Sequence, residues 1–216
     1  MAVNEIKLHY VVPEIFAQRE DLSSDVWHSD IVFERGKSYL IKAVSGTGKS
    51  SLCSYLYGQR GDYRGDILFD GENISSFTTG RWCDIRQREI SILFQDLKLF
   101  GELTALQNVE IKNNITNAKS HTEIVSLFEE LGIVDKLHAR VDHMSFGQQQ
   151  RVALIRALCQ PYDFILLDEP ISHLDDCNSD IMRDIVVREA KQRGAGIIAT
   201  SIGKHMNIDY DICLSL

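Results

Sequence analysis

The stretch Ser38-Tyr39-Leu40-Ile41-Lys42-Ala43-Val44-Ser45-Gly46-Thr47-Gly48-Lys49-Ser50, with the residues that follow it to Tyr57, decides the fold. Residues 38–44 are mostly apolar and run into a glycine-containing turn, the pattern of a short buried strand. Beyond the turn Leu52 and Leu56 stand one helical turn apart with Tyr55 beside them, which predicts a helix over 50–57. The loop between them joins a strand end to a helix N-terminus, where unpaired backbone N–H groups and the positive end of the helix dipole face an anion. Gly46 and Gly48 let the backbone wrap closely around such an anion. Residues 43–50 fit G-x-x-x-x-G-K-[ST] with one departure, Ala43 for the first glycine. In that pattern Lys49 reaches the β- and γ-phosphates and the Ser50 hydroxyl ligates Mg²⁺. A chance turn rich in Gly, Ser and Lys is the competing reading, and the strand–turn–helix setting favours the phosphate loop. Ser45, Gly46, Thr47, Gly48, Lys49, Ser50 and Ser51 are the candidate phosphate ligands, with Lys49 expected to face solvent. The extra methyl of Ala43 is compatible with the turn if its φ is negative.

Phe164-Ile165-Leu166-Leu167-Asp168 is an apolar run ending in a carboxylate, the pattern of an interior parallel strand buried on both faces. A carboxylate at the C-terminal end of such a strand points into the crevice where open α/β sheets bind ligands. Asp168 is thereby a candidate for holding Mg²⁺ through water, and Glu169 a candidate general base facing the attacking water. Asp-Glu after a strand is also the pattern of a helix N-cap with an acidic first turn. The upstream lysine loop favours the nucleotide reading.

Met144-Ser145-Phe146-Gly147-Gln148-Gln149-Gln150-Arg151 opens a further helix, whose apolar face is Val152, Leu154, Ile155, Leu158 and Cys159. With this segment the chain resembles the ATP-binding subunits of ABC transporters, whose signature reads L-S-G-G-Q-Q-Q-R. Three further stretches match: Gln95 in Ile92–Asp96 the Q-loop, Ser172-His173-Leu174-Asp175 the D-loop, and Gly65–Gly71 the hairpin after the phosphate-loop helix. Leu103-Thr104-Ala105-Leu106-Gln107-Asn108-Val109 looks like the L-T-A-L-E-N-V run of the lipoprotein-release, macrolide-efflux and cell-division subgroup.

The resemblance implies an α/β P-loop NTPase of ABC type: a mostly parallel central sheet, an antiparallel N-terminal β region and an inserted helical subdomain. It implies ATP and Mg²⁺ as cofactors, with Ser50, Gln95 and Asp168 at the metal. It implies that Ser145, Gly147 and Gln148 bind the γ-phosphate held by a second subunit, with Asp175 at the dimer seam. The implied partners are an integral-membrane permease and a second ATPase subunit, in a homodimer or heterodimer formed through ATP. The implied location is the cytoplasmic face of the cell membrane. An aromatic residue near the N-terminus stacks on adenine in the family, and Phe16 fits by its distance from the loop, with Tyr10 as rival. The family's switch histidine falls on Ser201 in Ala199-Thr200-Ser201-Ile202, so catalysis is assigned to Glu169, Gln95 and Ser201. His205 lies close enough to substitute if the loop bends. Two other readings stand beside the transporter subunit: a low-turnover ATP-gated clamp on a membrane partner, and a soluble ABC-type ATPase.

At 216 residues one compact unit is expected over 1–216, with the helical subdomain at about 80–160 carrying the signature. No run of ~18 apolar residues is present to span a membrane. The start Met-Ala-Val-Asn-Glu-Ile-Lys lacks a signal-peptide pattern, and the end, Ile212–Leu216, reads as a last strand with no room for an appended domain. The net charge of −8 disfavours nucleic acid as the main partner. The five cysteines, with no C-x-x-C pair, read as reduced and mostly packed thiols. Arg81, Arg86 and Arg88 with Trp82 form a basic cluster, either a solvated helix flank or a binding patch.

Overall fold

The computed structural model describes residues 2–19, 23–44, 46–172 and 174–216. Two sheets organise them. The first is antiparallel about its centre: β1 (Glu5–Pro13) pairs with β2 (Asp30–Glu34) on one side and β4 (Tyr63–Phe69) on the other, and β5 (Glu72–Asn73) returns along β4. The second contains β3 (Ser38–Lys42), β6 (Ile90–Leu93), β7 (Phe164–Asp168), β8 (Gly196–Ser201) and β9 (Ile212–Ser215). Its spatial order is β6-β7-β8-β3-β9 and every pairing is parallel.

Alternation along the strands of the parallel sheet divides the core in two. Tyr39, Ile41, Phe164 and Leu166 face one way, onto α1 (Lys49–Leu56) and the antiparallel sheet. Leu40, Ile165 and Leu167 face the other way, onto α3 (Ala105–Thr116), α4 (His121–Glu130), α5 (Phe146–Leu158) and α6 (Asp176–Arg193). All of β7 is buried, as its unbroken apolar run requires. Because the sheet is parallel, the C-terminal ends of β3, β7 and β8 share one edge: Lys42 pairs with Ser201, and Asp168 with Thr200. The phosphate loop, the Asp168-Glu169 pair and the Ser201 loop all leave the sheet there.

The structure corrects three expectations. The interval 80–160 is not one helical insertion: α2 (Thr79–Arg88) leads into β6, a strand of the parallel sheet, and the helical excursion begins only at α3. The basic cluster is largely structural. Arg81 is held by buried Glu89, while Arg86 donates to the Tyr57 and Gly58 carbonyls and stacks between Tyr57 and Trp82. The cysteines are free, but only Cys53 and Cys159 are buried; Cys83, Cys177 and Cys213 are exposed.

Candidate functional site

The phosphate loop is held by its glycines. Gly46 and Gly48 have φ of 85° and 97°, left-handed values that side-chain-bearing residues rarely take. A β-carbon on Gly48 would also meet Trp27 Cζ2 at 3.1 Å and Phe16 Cε2 at 3.2 Å. Ala43 stays outside the left-handed region, which meets the condition for its extra methyl. Helix α1 starts at Lys49 with no side-chain cap, so its first amides are open to a ligand. The Thr47 hydroxyl donates to the Val44 carbonyl at 2.9 Å, closing the turn. Ser51 is not a bare ligand: its Oγ accepts from Arg60 Nη1 at 2.9 Å. Ser45 and His173 lie outside the described residues.

Lys49 is 7% exposed, against the expectation that it faces solvent. Its Nζ lies 2.9 Å from Glu169 Oε1, within ion-pair distance, yet that oxygen is buried without an aligned hydrogen bond. Each charge neutralises the other in an environment that would penalise either alone. Glu169 has a φ of 50°, a strained value for a residue with a side chain. Two contacts steady the segment: Gln150 Nε2 of α5 donates to the Pro170 carbonyl at 2.6 Å, and the Glu169 N–H donates to the Thr200 carbonyl at 3.3 Å. Beside them Thr200 Oγ1 donates to Asp168 Oδ1 at 2.7 Å and fixes that buried carboxylate. Ser50 Oγ donates to Gln95 Oε1 at 3.3 Å. Ser50, Gln95 and Asp168 line one cavity of about 480 Å³.

The signature residues sit at the start of α5. Ser145 is its N-cap in a reciprocal capping box: Ser145 Oγ accepts from the Gln148 N–H, and Gln148 Oε1 accepts from the Ser145 N–H. Gly147 lies on the first turn, where its carbonyl accepts from Arg151 Nε at 3.2 Å. Phe146 is 41% exposed and borders the cavity that holds Ser50, Gln95 and Asp168. Asp175 caps α6, taking the Asn178 N–H at 2.8 Å and Asn178 Nδ2 at 2.7 Å. Those two bonds hold its carboxyl below the usual carboxylate range. Ser145, Gly147, Gln148 and Asp175 do not themselves line the cavity with Ser50, although Phe146 between them does.

Of the two aromatic candidates, Phe16 packs beside Gly48, whereas Tyr10 is exposed and stacks edge-on with His9. Ser201 is 3% exposed and its hydroxyl donates to the Lys204 carbonyl at 2.6 Å. The hydroxyl assigned to the γ-phosphate is therefore used inside its own loop, because a buried donor takes the nearest acceptor. His205 is exposed, with Nδ1 3.3 Å from the Gly203 carbonyl. Ser201→Ala should lower stability by about 1 kcal/mol, one hydrogen bond, and leave ATP affinity within about twofold. Chemical denaturation and nucleotide titration check this; a tenfold loss of affinity would return Ser201 to the binding site. Sequence reading missed Thr200, Gln150 and Trp27. Thr200 could have been found from its register beside Asp168 and Gln150 from its place in the signature stretch; Trp27 has no motif to mark it.

The donor set suits a magnesium nucleotide. Ser50, Gln95 and Asp168 offer hard oxygen ligands, and only one is a carboxylate, as expected for an ion that also binds substrate phosphates. No cluster of three His, Cys, Asp or Glu side chains able to hold a metal unaided occurs among the described residues.

Comparison with known proteins identifies the family and the fold. The ABC transporter family model matches residues 28–172, more than half of the chain. An uncharacterized ABC transporter ATP-binding protein of Thermotoga maritima is 34% identical over 186 residues, 85% of this chain and 78% of its own length. The lipoprotein-releasing system ATP-binding protein LolD of Syntrophotalea carbinolica is 32% identical over 170 residues, 77% of this chain and 75% of its own. The ATP-binding cassette MJ0796, solved as a dimer bound to ADP and Pi, superposes with a TM-score of 0.77 over 91% of this chain and 87% of its own. At 23% identity that likeness speaks to the fold alone. The chain belongs to the ABC transporter family, as an ATP-binding domain of the P-loop NTPase fold.

Proposed function

We propose that the chain is an ATP-hydrolysing subunit that closes with a second subunit around ATP and drives a membrane permease from the cytoplasmic face. The observation that carries this reading is the Lys49–Glu169 contact beside the Ser50–Gln95–Asp168 cavity. A nucleotide triphosphate entering the loop draws Lys49 toward its phosphates. Glu169 is then left free to accept a proton from water. Phosphoryl transfer needs positioning and charge neutralisation more than covalent chemistry, and the α1 amides with Lys49 supply both. Bound Mg²⁺, held by Ser50, Gln95 and Asp168, would add charge neutralisation between the phosphates. The open face of α5 at Ser145 and Gly147 would meet the nucleotide of the second subunit, whether a homodimer or heterodimer forms. Size exclusion of Glu169→Gln with ATP and with ADP tests this: an ATP-dependent dimer that Ser145→Arg abolishes is expected. A variant that stays monomeric at saturating ATP would remove the sandwich mechanism. The use of the Ser201 hydroxyl within its own loop favours a second reading, slow turnover in an ATP-gated clamp.

The permease would dock along Asp96 to Val109. Leu97 is buried and Leu99 partly so, while Phe100 remains 50% exposed, with Ile111 exposed on α3 nearby. A cavity of about 200 Å³ among β6, α3 and α5 reaches this segment at Lys98 and is lined in part by Phe94, Ile111, Lys112 and Arg156. Burial, then the charges of Arg156 and Arg86, push the Lys112 amine down to about 8. Exposed apolar side chains around such a groove suit a helix from a partner. Phe100→Glu should abolish stimulation of ATP hydrolysis by the permease and leave basal hydrolysis within about twofold. An unfolded variant in circular dichroism would mean that Phe100 stabilises the chain itself.

A further inference from the structure

Trp27 belongs to none of the motifs, yet it is 2% exposed and touches the phosphate loop directly. Its indole Nε1 donates to the Thr47 carbonyl at 2.9 Å. The peptide joining Thr47 to Gly48 is planar and trans, so its N–H points opposite to its C=O. Holding that carbonyl on the indole therefore turns the Gly48 N–H away from Trp27. The Gly48 amide makes no hydrogen bond within the described chain, which leaves it for a ligand. A glycine has little intrinsic preference to keep the flanking peptide in one orientation, so an external holder matters here. The indole packs closely on the loop: Cζ2 lies 3.1 Å from where a Gly48 β-carbon would be, and Phe16 Cε2 lies 3.2 Å from the same point.

We infer that Trp27 is a positioning residue for nucleotide binding, whose indole N–H fixes the 47–48 peptide so that the Gly48 N–H is presented to a phosphate. This deepens the proposed function and rests on the reading that the loop binds Mg·ATP. Trp27→Phe keeps a ring in the core and deletes the N–H. Calorimetric titration of wild type and variant should use three probes: Mg·ATP, magnesium tripolyphosphate and adenosine. Affinity for the two phosphate probes is expected to fall about fivefold to tenfold, the scale of one hydrogen bond. Adenosine affinity is expected to stay within about twofold, which a general loosening of the core would not allow. Unchanged tripolyphosphate affinity, or an equal loss for adenosine, overturns the role of Trp27. If wild type binds no Mg·ATP at all, it is the site reading that fails. Should Trp27→Phe not fold, Trp82→Phe leaves Trp27 as the only tryptophan, since the chain has two. Saturating magnesium tripolyphosphate should then change Trp27 emission, and an unaltered spectrum would overturn the proposal.

Discussion

Glu169→Gln should slow ATP hydrolysis by about 10²–10⁴-fold, or roughly 3–5 kcal/mol of barrier, while ATP affinity rises. The first effect would follow if, as proposed, Glu169 is the group that accepts the proton of water. The second follows from the 2.9 Å contact between Lys49 and Glu169. Lys49 lies within ion-pair distance of that carboxylate, so binding a phosphate there would exchange one negative partner for another. A neutral amide of the same shape relaxes its hold on Lys49. Single-turnover hydrolysis measures the first effect and equilibrium titration with Mg·ATP the second. If Glu169→Gln hydrolyses at the wild-type rate, the base lies elsewhere. If its affinity is lower than wild type, the contact helps binding instead of competing with it.

Lys49→Ala should lose both nucleotide affinity and stability. The side chains of Lys49 and Glu169 are only 8% and 12% exposed, so removing the lysine leaves a carboxylate without its counter-charge. Breaking a buried pair from one side costs on the order of 3 kcal/mol. Lys49→Ala combined with Glu169→Gln removes both charges, so the double variant should recover most of the stability and none of the affinity. A double-mutant cycle in urea, read beside nucleotide titration, separates the two roles. Additive stability losses would mean that the pair contributes nothing to the fold.

The parts of this site that were legible in the sequence are those where chemistry constrains residue type at fixed spacing. Gly46, Gly48, Lys49 and Ser50 had to follow a strand and open a helix, and they do. Asp168 had to end an apolar strand, and it does. Other features depend on neighbours distant in the chain. Ile90–Leu93 is too short an apolar run to announce itself as a strand, and only pairing with β7 makes it one. The burial of Lys49 depends on Glu169, far away in sequence. Trp27 stands in a stretch with no periodicity, and only the fold sets its indole beneath Thr47. Ser201 ends β8, yet the local turn to Lys204 claims its hydroxyl.

The segment between Gln95 and α3 is fastened at both ends. Leu97 and Lys98 hold φ of 59° and 49°, and Arg156 of α5 grips both of their carbonyls, at 2.5 Å and 2.6 Å. Farther on, the fully buried Asn108 accepts the Phe100 N–H and donates to the Phe100 and Thr104 carbonyls. A loop tied in this way has little slack with which to absorb a load. If a permease docks at Phe100 as proposed, force applied there would reach α3 through Asn108 and α5 through Arg156, and α5 is the helix that begins at Ser145. On the proposed function that fastening would serve as leverage, with Arg156 and Asn108 as its two rivets.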